Sequence, residues 1–339
     1  IFSSTYYNVI TVGNEKSDFL SISAALNSIV DNSENKRYLI RVYPGKYTET
    51  SIINMKQYVD IIGDGKNNTI INLPSRTVGA IDISEVNNTR MITTNLLPGN
   101  SGIITLQPNT KIANITFIRD ADSNDVNLTT SCIFYYIHTS GNLPILEDIH
   151  IENNDNAQFN AGIVMEDLDI EYAHYVISNC YIKINKANNT LNKGVGIIIH
   201  NESNTLTDIT STSQIKLLNN TVVDVIVNTN HTNFNTSNIP ILEFYSISTN
   251  KANISINNSN LNIKLDNTSS NSVSQEYLRY FTNINLVDSN FILENSRCNN
   301  LISNIVYNSQ SITKTIILKD SILETKSSIN YNYQLKGLN

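Results

Sequence analysis

The chain has 339 residues, of which 40% are hydrophobic, 16% are charged and none is tryptophan, and its formal net charge is −7. The charges are scattered, so the sequence has no basic stripe of the kind that binds nucleic acid, and it has no run of 18 apolar residues. Its three cysteines are too few, and odd in number, for a disulfide framework. The composition therefore predicts no nucleic-acid partner, no membrane span and no disulfide framework.

A single amphipathic helix is predicted near the start of the chain, over residues 18–30, with Ser17 or Asp18 as its cap. Its apolar residues follow the i, i+3, i+4, i+7, i+8 spacing of one helical face, namely Ile22, Ala25, Leu26, Ile29 and Val30. A lone helix ahead of a run of strands fits a lid over the first coil of a solenoid, whose open end would otherwise expose unpaired backbone groups.

Short apolar strands are predicted next, at residues 38–42, 59–62 and 70–73, and then one short pattern recurs. A small polar residue opens or precedes an alternating apolar run, at intervals of roughly 30 to 40 residues. Its copies begin at Asn114, Asp148, Tyr181, Thr221, Asn260, Asn290 and Ser321. Such a strand cannot bury its apolar face alone, so neighbouring copies must stack on one another. The repeat predicts an all-β fold, the parallel β-helix.

The whole chain, residues 1–339, is predicted to form one domain, because the core of a solenoid grows along one axis. The β-helix coils are expected over about residues 38–325, and residues 326–339 are expected to form a C-terminal cap or tail. Cys180 lies beside a copy of the repeat, where a buried small apolar residue is expected.

Several segments of the first 73 residues carry a family resemblance. They are Asp18-Phe19-Leu20-Ser21-Ile22 with Ala24-Ala25-Leu26, Ile40-Arg41-Val42-Tyr43-Pro44-Gly45-Lys46-Tyr47-Thr48-Glu49, and Ile61-Ile62-Gly63-Asp64-Gly65 with Thr69-Ile70-Ile71. This stretch resembles the opening of a pectin methylesterase and, more broadly, the pectin-lyase-like superfamily. The resemblance implies a single-stranded, right-handed parallel β-helix with an N-terminal capping α-helix.

The catalytic part of that resemblance is missing. The family implies two Asp residues, Gln side chains that form an oxyanion pocket, and an Arg that orients the nucleophile. The chain has no Gln-Asp-Thr-Leu, Asp-Phe-Ile-Phe-Gly or Gly-Arg-Pro-Trp segment. Each missing oxyanion donor would lower the rate by roughly 10² to 10³. The sequence therefore predicts no catalytic residues, and a protein that is not an enzyme.

Two acidic groups are candidate cation or acid–base sites. Asp167, Asp169 and Glu171 could share one face of a strand and bind Ca²⁺ or act as acid and base. They equally fit a solvated outer face, with the intervening apolar residues pointing inward. Asp120 and Asp122 resemble the start of a Ca²⁺ loop, but the Gly and distal Glu of an EF-hand are not in place. The five histidines are spread out, so no metal site and no cofactor are predicted.

Tyrosines and glycosylation sequons are the remaining candidates. Three local pairs of tyrosines could form aromatic platforms for sugars or pack on the solenoid flank: Tyr135, Tyr136, Tyr172, Tyr175, Tyr277 and Tyr280. The candidate N-glycosylation sites are Asn67, Asn87, Asn127, Asn188, Asn230, Asn235 and Asn267. A chain this rich in Asn, Ser and Thr contains such sequons by chance, and its Asn side chains could instead stack from coil to coil.

These observations favour a non-catalytic structural or surface protein, such as a virion spike, fibre or capsid-decorating component that binds host glycans. It would form a homo-oligomer, for example a trimer, or join other subunits, at the virion surface or the extracellular or cell surface. The alternative is a diverged carbohydrate-active enzyme, resembling a pectinesterase or polysaccharide lyase, that acts on an acidic polysaccharide. A glycan-binding module without turnover is the third hypothesis.

Overall fold

A computed structural model describes eighteen stretches of the chain. They are residues 6–72, 81–82, 102–120, 128–136, 142, 144–154, 159–166, 175–186, 193–201, 214–228, 242–246, 252–266, 284–286, 289–294, 297–301, 314–319, 322–325 and 333–337. Within these stretches the chain forms one α-helix and 29 short strands. No helix in them combines the length and the apolar character that a membrane crossing requires.

The helix α1 spans Ile22–Ser28, and the strands follow in chain order. The first ten are β1 Asn8–Val12, β2 Tyr38–Val42, β3 Gly45–Thr48, β4 Ile53–Asn54, β5 Val59–Gly63, β6 Thr69–Asn72, β7 Ile81–Asp82, β8 Ile104–Leu106, β9 Lys111–Ala113 and β10 Thr116–Arg119. The next ten are β11 Leu128–Thr130, β12 Ile133–Tyr136, β13 Ile145–Glu147, β14 His150–Asn153, β15 Phe159–Glu166, β16 Ile177–Ser178, β17 Tyr181–Lys186, β18 Lys193–Asn201, β19 Gln214–Asn219 and β20 Val222–Asn228. The last nine are β21 Leu242–Ser246, β22 Ala252–Asn257, β23 Asn260–Asp266, β24 Ile284–Leu286, β25 Ser289–Glu294, β26 Arg297–Leu301, β27 Lys314–Lys319, β28 Ile322–Thr325 and β29 Tyr333–Gly337.

The strands form three long sheets. Sheet 1 has the order β1-β2-β5-β9-β13-β16-β19-β22-β25-β27-β29, and sheet 2 has the order β3-β6-β10-β14-β17-β20-β23-β26-β28. Sheet 3 has the order β4-β8-β12-β15-β18-β21-β24, with β7 and β11 at its side. Neighbours along each order are parallel, and the chain passes from sheet 1 to sheet 2 to sheet 3 and back. This cyclic path is a parallel β-helix, so the predicted fold is confirmed.

The core is a stack of aliphatic and aromatic side chains along the axis. In sheet 1 one row is buried in six successive strands: Ile40, Ile61, Ile112, Leu146, Ile177 and Leu218. In sheet 2 the matching row is Ile71, Phe117, Ile151, Ile182 and Val223. Each such side chain contributes roughly 1.5–3 kcal/mol on burial. The side chains of the alternate positions therefore point outward, where they can form a site.

A polar residue ahead of the sheet 2 strands β10, β14, β17, β20 and β23 lies at the corner between sheets 1 and 2. Five successive coils place an Asn or Asp there with φ between 47° and 59°, namely Asn114, Asp148, Asn179, Asn220 and Asn258. Asn and Asp tolerate this left-handed conformation better than other side-chain-bearing residues. Asn220 Nδ2 donates a hydrogen bond to Asn179 Oδ1 at 2.7 Å, so at this pair the side chains do stack between coils.

One copy of the predicted repeat belongs to a different sheet. The run that begins at Asn290 forms β25, which pairs with β22 and β27 in sheet 1. The sheet 2 strand of that coil is β26, whose sequence Arg-Cys-Asn-Asn-Leu is mostly polar. The alternating apolar pattern of β25 fits either sheet, so hydrophobicity alone could not assign it. Residues 333–337, inside the predicted C-terminal cap or tail, add β29 to sheet 1.

The helix begins later than predicted, because Ser21 rather than Ser17 or Asp18 is its cap. Ser21 Oγ accepts a hydrogen bond from the Ala24 amide at 3.2 Å. Ahead of it the chain turns, and Phe19 forms an isolated parallel bridge with Val12 of β1, in which its amide donates to the Thr11 carbonyl oxygen at 3.1 Å. The predicted apolar face is buried at Ile22, Ala25, Leu26 and Ile29, whereas Val30 is 85% exposed beyond the helix end.

The outer edge of β1 has its amides occupied by local groups. The Val9 amide donates to Asn8 Oδ1, the Thr11 amide to Asp18 Oδ2 and the Gly13 amide to the Phe19 carbonyl. An edge strand with free amides is a template for pairing with another chain. These bonds and α1 together close the first end of the solenoid. The expected role of the helix as a lid agrees with this arrangement.

Candidate functional site

A groove of about 590 Å³ lies on the outer face of sheet 1. Its lining residues are Tyr6, Glu34, Arg37, Tyr58, Asp60, Ile62, Asn109, Thr110, Lys111, Asn142, Ile145, Glu147, Tyr175, Ser178, Asn179 and Asn219. Thirteen of them come from, or lie beside, the five successive strands β5, β9, β13, β16 and β19, and the other three, Tyr6, Glu34 and Arg37, lie ahead of β1 and β2. At about 4.8 Å between strands, the groove extends about 19 Å along the solenoid axis.

Asp60 organises the first end of the groove. Asp60 is 2% exposed, and its carboxylate accepts hydrogen bonds from Tyr6 Oη at 3.0 Å and from the Lys111 amide at 2.8 Å. Arg37 Nη2 donates to both Asp60 oxygens, at 3.0 and 3.2 Å, and to the Asn109 carbonyl oxygen at 3.0 Å. Both carboxylate oxygens are thus occupied by donors from separate parts of the chain. Asp60 therefore fixes this end of the groove and has no free oxygen for a substrate.

Two tyrosines flank this ionic centre. Burial, and then the negative charge of Asp60, raise the pKa of Tyr6 well above its ordinary value, so Tyr6 stays a protonated donor. The guanidinium carbon of Arg37 lies 5.8 Å from the centre of the Tyr58 ring, in cation–π range. Arg37 is held by its carboxylate, by a carbonyl and by an aromatic face. It is a fixed part of the wall.

A second ion pair lies further along the groove. Lys111 Nζ pairs with Glu147 Oε2, and the Glu147 side chain is 43% exposed. Glu147 is in register with Ser178 of the next strand, which is in turn in register with Asn219. These three residues form a polar row on the outer face. Glu147 is therefore an accessible carboxylate in the middle of the groove.

A separate polar cluster lies on the outer face of sheet 2. Glu152 Oε1 accepts hydrogen bonds from Lys183 Nζ at 3.1 Å and from Asn185 Nδ2 at 3.2 Å. His150 Nε2 is buried, has no hydrogen-bond partner among the described residues and lies 3.7 Å from Glu152 Oε2. Its ring centre is 5.1 Å from that of Tyr181. These contacts link β14 to β17 and help to fix their register.

His150 is expected to make the fold sensitive to mild acid. Burial lowers the pKa of His150 below its ordinary value, and the charges of Lys183 and Lys66 act in the same direction against that of Glu152. As the pH falls, His150 is therefore protonated in the unfolded chain before it is protonated in the folded protein. The contribution of neutral His150 to stability is complete above about pH 6.5 and falls as the pH drops towards the folded-state pKa.

The measurement is urea unfolding of the wild type and of His150→Gln at about pH 7 and about pH 5.5. The wild type should lose more unfolding free energy than the variant between the two values. Because the other titrating groups are common to both proteins, an equal loss in the two would contradict this role of His150.

The cysteine prediction is confirmed at Cys180, which is 4% exposed and follows the corner residue Asn179. Burial raises the pKa of its thiol to about 12. A thiol of this kind is not ionised near neutral pH, so Cys180 packs in the core and is not a nucleophile.

The structure places only some of the predicted tyrosines. Tyr175 lines the groove, whereas Tyr135 and Tyr136 lie in β12 of sheet 3, a different sheet. Tyr172, Tyr277 and Tyr280 lie outside the described residues. Of the predicted tyrosines that the structure describes, Tyr175 therefore lies in the groove.

The predicted acidic and glycosylation sites are mostly outside the described residues as well. Asp120 is exposed at the end of β10 and accepts a hydrogen bond from Asn72 Nδ2. Asn67 is exposed in the turn between β5 and β6. The other candidate residues all lie outside the described residues, namely Asp122, Asp167, Asp169, Glu171, Asn87, Asn127, Asn188, Asn230, Asn235 and Asn267. Among the described residues, no three His, Cys, Asp or Glu side chains converge as metal ligands would.

Sequence reasoning missed the groove residues Asp60, Arg37 and Glu147. Each is a charged residue beside or within an apolar strand, which indicates an outward position but not its neighbours. The alignment of Asp60 with Lys111 depends on the register of β5 and β9. The Lys111 amide and the Asp60 carboxylate that it bonds are 51 residues apart in the sequence. A repeat alignment that extended back to β5 could have found this pair.

Neither a protein-family model nor a curated protein matches the chain. Several solved structures are similar to it. Pectin methylesterase from carrot is 14% identical, with a TM-score of 0.45, over 99% of this chain and 90% of that one. Pectin methylesterase PemA from Erwinia chrysanthemi is 12% identical, with a TM-score of 0.47, over 98% and 94%. The catalytic domain of a GH87 α-1,3-glucanase is 11% identical, with a TM-score of 0.32, over 97% and 68%.

The parallel β-helix that the resemblance to pectin methylesterases implies is confirmed by the order of the strands in the three sheets. The prediction that the chain is not an enzyme is contradicted, because the similar structures named here are all enzymes. The virion role finds no support among them, and the predicted oligomer and surface location stay predictions.

Proposed function

We propose that the chain is a carbohydrate-active enzyme that binds a polysaccharide lengthwise in the groove on the outer face of sheet 1. The observation that carries this proposal is the shape of the groove, which crosses five strands over about 19 Å. A linear polymer that runs along the axis would contact each coil in turn. A compact metabolite would fill only part of such a groove.

The lining chemistry suits sugars. Tyr58 and Tyr175 contribute amphipathic rings that suit the apolar faces of sugar rings, and Tyr6, whose hydroxyl is bonded to Asp60, contributes a third ring. Side-chain amides both donate and accept, as sugar hydroxyls require. Four of them line the groove, namely Asn109, Asn142, Asn179 and Asn219.

Glu147 is the carboxylate best placed to act on the polymer. Among the described acidic residues of the groove, Asp60 is saturated with donors. Glu34 lies exposed in the segment ahead of β2, away from the row of outward residues on the strands. Glu147 lies within that row, accessible and held by Lys111. It would act as a general acid or base in hydrolysis of a glycosidic or ester bond.

Glu147→Gln should lower turnover by roughly 10² to 10⁴, the usual contribution of a positioned acid or base, while binding persists. The assay follows reducing ends and released alcohol on neutral glucans and galactans and on polygalacturonate and its methyl ester, since the family resemblance implies an acidic polysaccharide. Glu15→Gln, an exposed carboxylate outside the groove, is the control. Full activity of Glu147→Gln would refute the role of Glu147. The absence of both turnover and binding with every polysaccharide tested would refute the proposed function.

A further inference from the structure

We infer that the groove selects an uncharged polysaccharide over a polyanion, an inference that rests on the proposed function and departs from the acidic substrate that the resemblance implies. Its described lining residues include two cations, Arg37 and Lys111, and three carboxylates, Glu34, Asp60 and Glu147. Two positive and three negative charges leave one net negative charge. A polyanion would therefore enter a site of its own sign.

Both cations are already committed to carboxylates of the protein. Arg37 Nη2 lies 3.0 Å from Asp60 Oδ1, and Lys111 Nζ pairs with Glu147 Oε2. If a ligand carboxylate drew Arg37 away, Asp60 would lose its partner at a site where it is 2% exposed. An unpaired buried charge is strongly unfavourable, so this exchange is opposed. Arg37 is thus part of the groove wall and is not available to bind an anionic ligand.

Glu34 gives the groove its unbalanced charge. It is exposed and makes no ion pair among the described residues, whereas the other two carboxylates of the groove each have a cation. The whole chain adds to the effect, with a formal net charge of −7 and a sequence pI of about 5.3. A net negative protein repels polyanions before contact. A neutral sugar chain meets none of these repulsions and can still bond the amides and tyrosines.

The test compares ligands that differ in charge but keep the same sugar backbone. Oligogalacturonate is measured beside its carboxyl-reduced, neutral counterpart, and oligoglucuronate beside the matching glucan, by calorimetric titration of the full chain. At least one neutral member should bind roughly tenfold or more tightly than its charged partner. Raising the salt from about 0.05 M to about 0.5 M should weaken this preference, because screening reduces repulsion of the charged ligand.

A pair of variants isolates the role of Glu34. Glu34→Gln should raise the affinity for the charged ligand several-fold relative to the affinity for the neutral one. Glu15→Gln removes the same charge outside the groove and should leave the preference as it is. Equal effects of the two variants would mean that net charge alone is responsible and would overturn the role of the groove.

Other outcomes separate this inference from the proposed function. Tighter binding of a charged member at low salt would overturn the inference and leave the proposed function standing. Binding of none of the oligosaccharides or of their parent polysaccharides would overturn both.

Discussion

Gly63→Ala is expected to destabilise the β-helix by about 3 kcal/mol, the upper end of the usual cost, since it overpacks a buried site against backbone. A Cβ atom at Gly63 would lie 2.4 Å from the Asn114 carbonyl oxygen and 2.7 Å from Ile115 Cγ1. The Asn114 corner cannot easily retreat, because its amide is bonded to the Glu147 carbonyl oxygen of the next coil.

The measurement is chemical unfolding of both the wild type and the variant, with Gly45→Ala as the matched control. A Cβ at Gly45 would meet only the Tyr47 side chain, at 3.4 Å, which is an ordinary contact. Gly45→Ala should therefore cost little. If the two glycine variants unfolded at the same denaturant concentration, the close stacking of these coils would be refuted.

Asp60→Ala is expected to cost about 3–5 kcal/mol, the usual effect of removing one partner of a buried ion pair. The change leaves Arg37 without its carboxylate and removes the acceptor for Tyr6 Oη and for the Lys111 amide. The cost should exceed that of Asp31→Ala, because Asp31 pairs with Lys36 on an exposed surface.

A double-mutant cycle identifies the source of this loss. Arg37→Met alone and Asp60→Ala alone should each destabilise the protein, and the double variant should be more stable than the sum of the two predicts. Strict additivity in urea unfolding would show that Asp60 and Arg37 do not act as a pair.

The fold was largely predictable because each coil of a solenoid repeats the same sequence pattern of a polar corner residue and an apolar strand. A copy such as that at Asn114 contains both the left-handed corner and the apolar strand that follows it. The centre of α1 was predictable from one apolar face. Its start was not, because residues near Phe19 follow an extended pairing with β1 that local propensity does not reveal.

The groove was much less predictable, because it depends on register between coils. Tyr6, Arg37 and Asp60 come from three segments that meet only when β1, β2 and β5 pair side by side. Acidic clustering in the sequence drew attention instead to segments such as that of Asp167, outside the described residues. Nearness along the chain is a poor guide in a β-helix, where neighbours in space are a whole coil apart.

A series of oligosaccharides of increasing length would show whether a polysaccharide lies along the groove. Tyr58 and Tyr175 lie beside β5 and β16, three strand spacings or about 14 Å apart. Affinity for neutral glucan and galactan oligosaccharides is measured against their length, for the wild type, Tyr58→Ala and Tyr175→Ala. If the groove holds the polysaccharide lengthwise, affinity should rise with length and then level off. Each variant should lose affinity most for oligosaccharides long enough to reach both tyrosines. An affinity that is independent of length, or unchanged in both variants, would show that the groove does not bind the polysaccharide in this way.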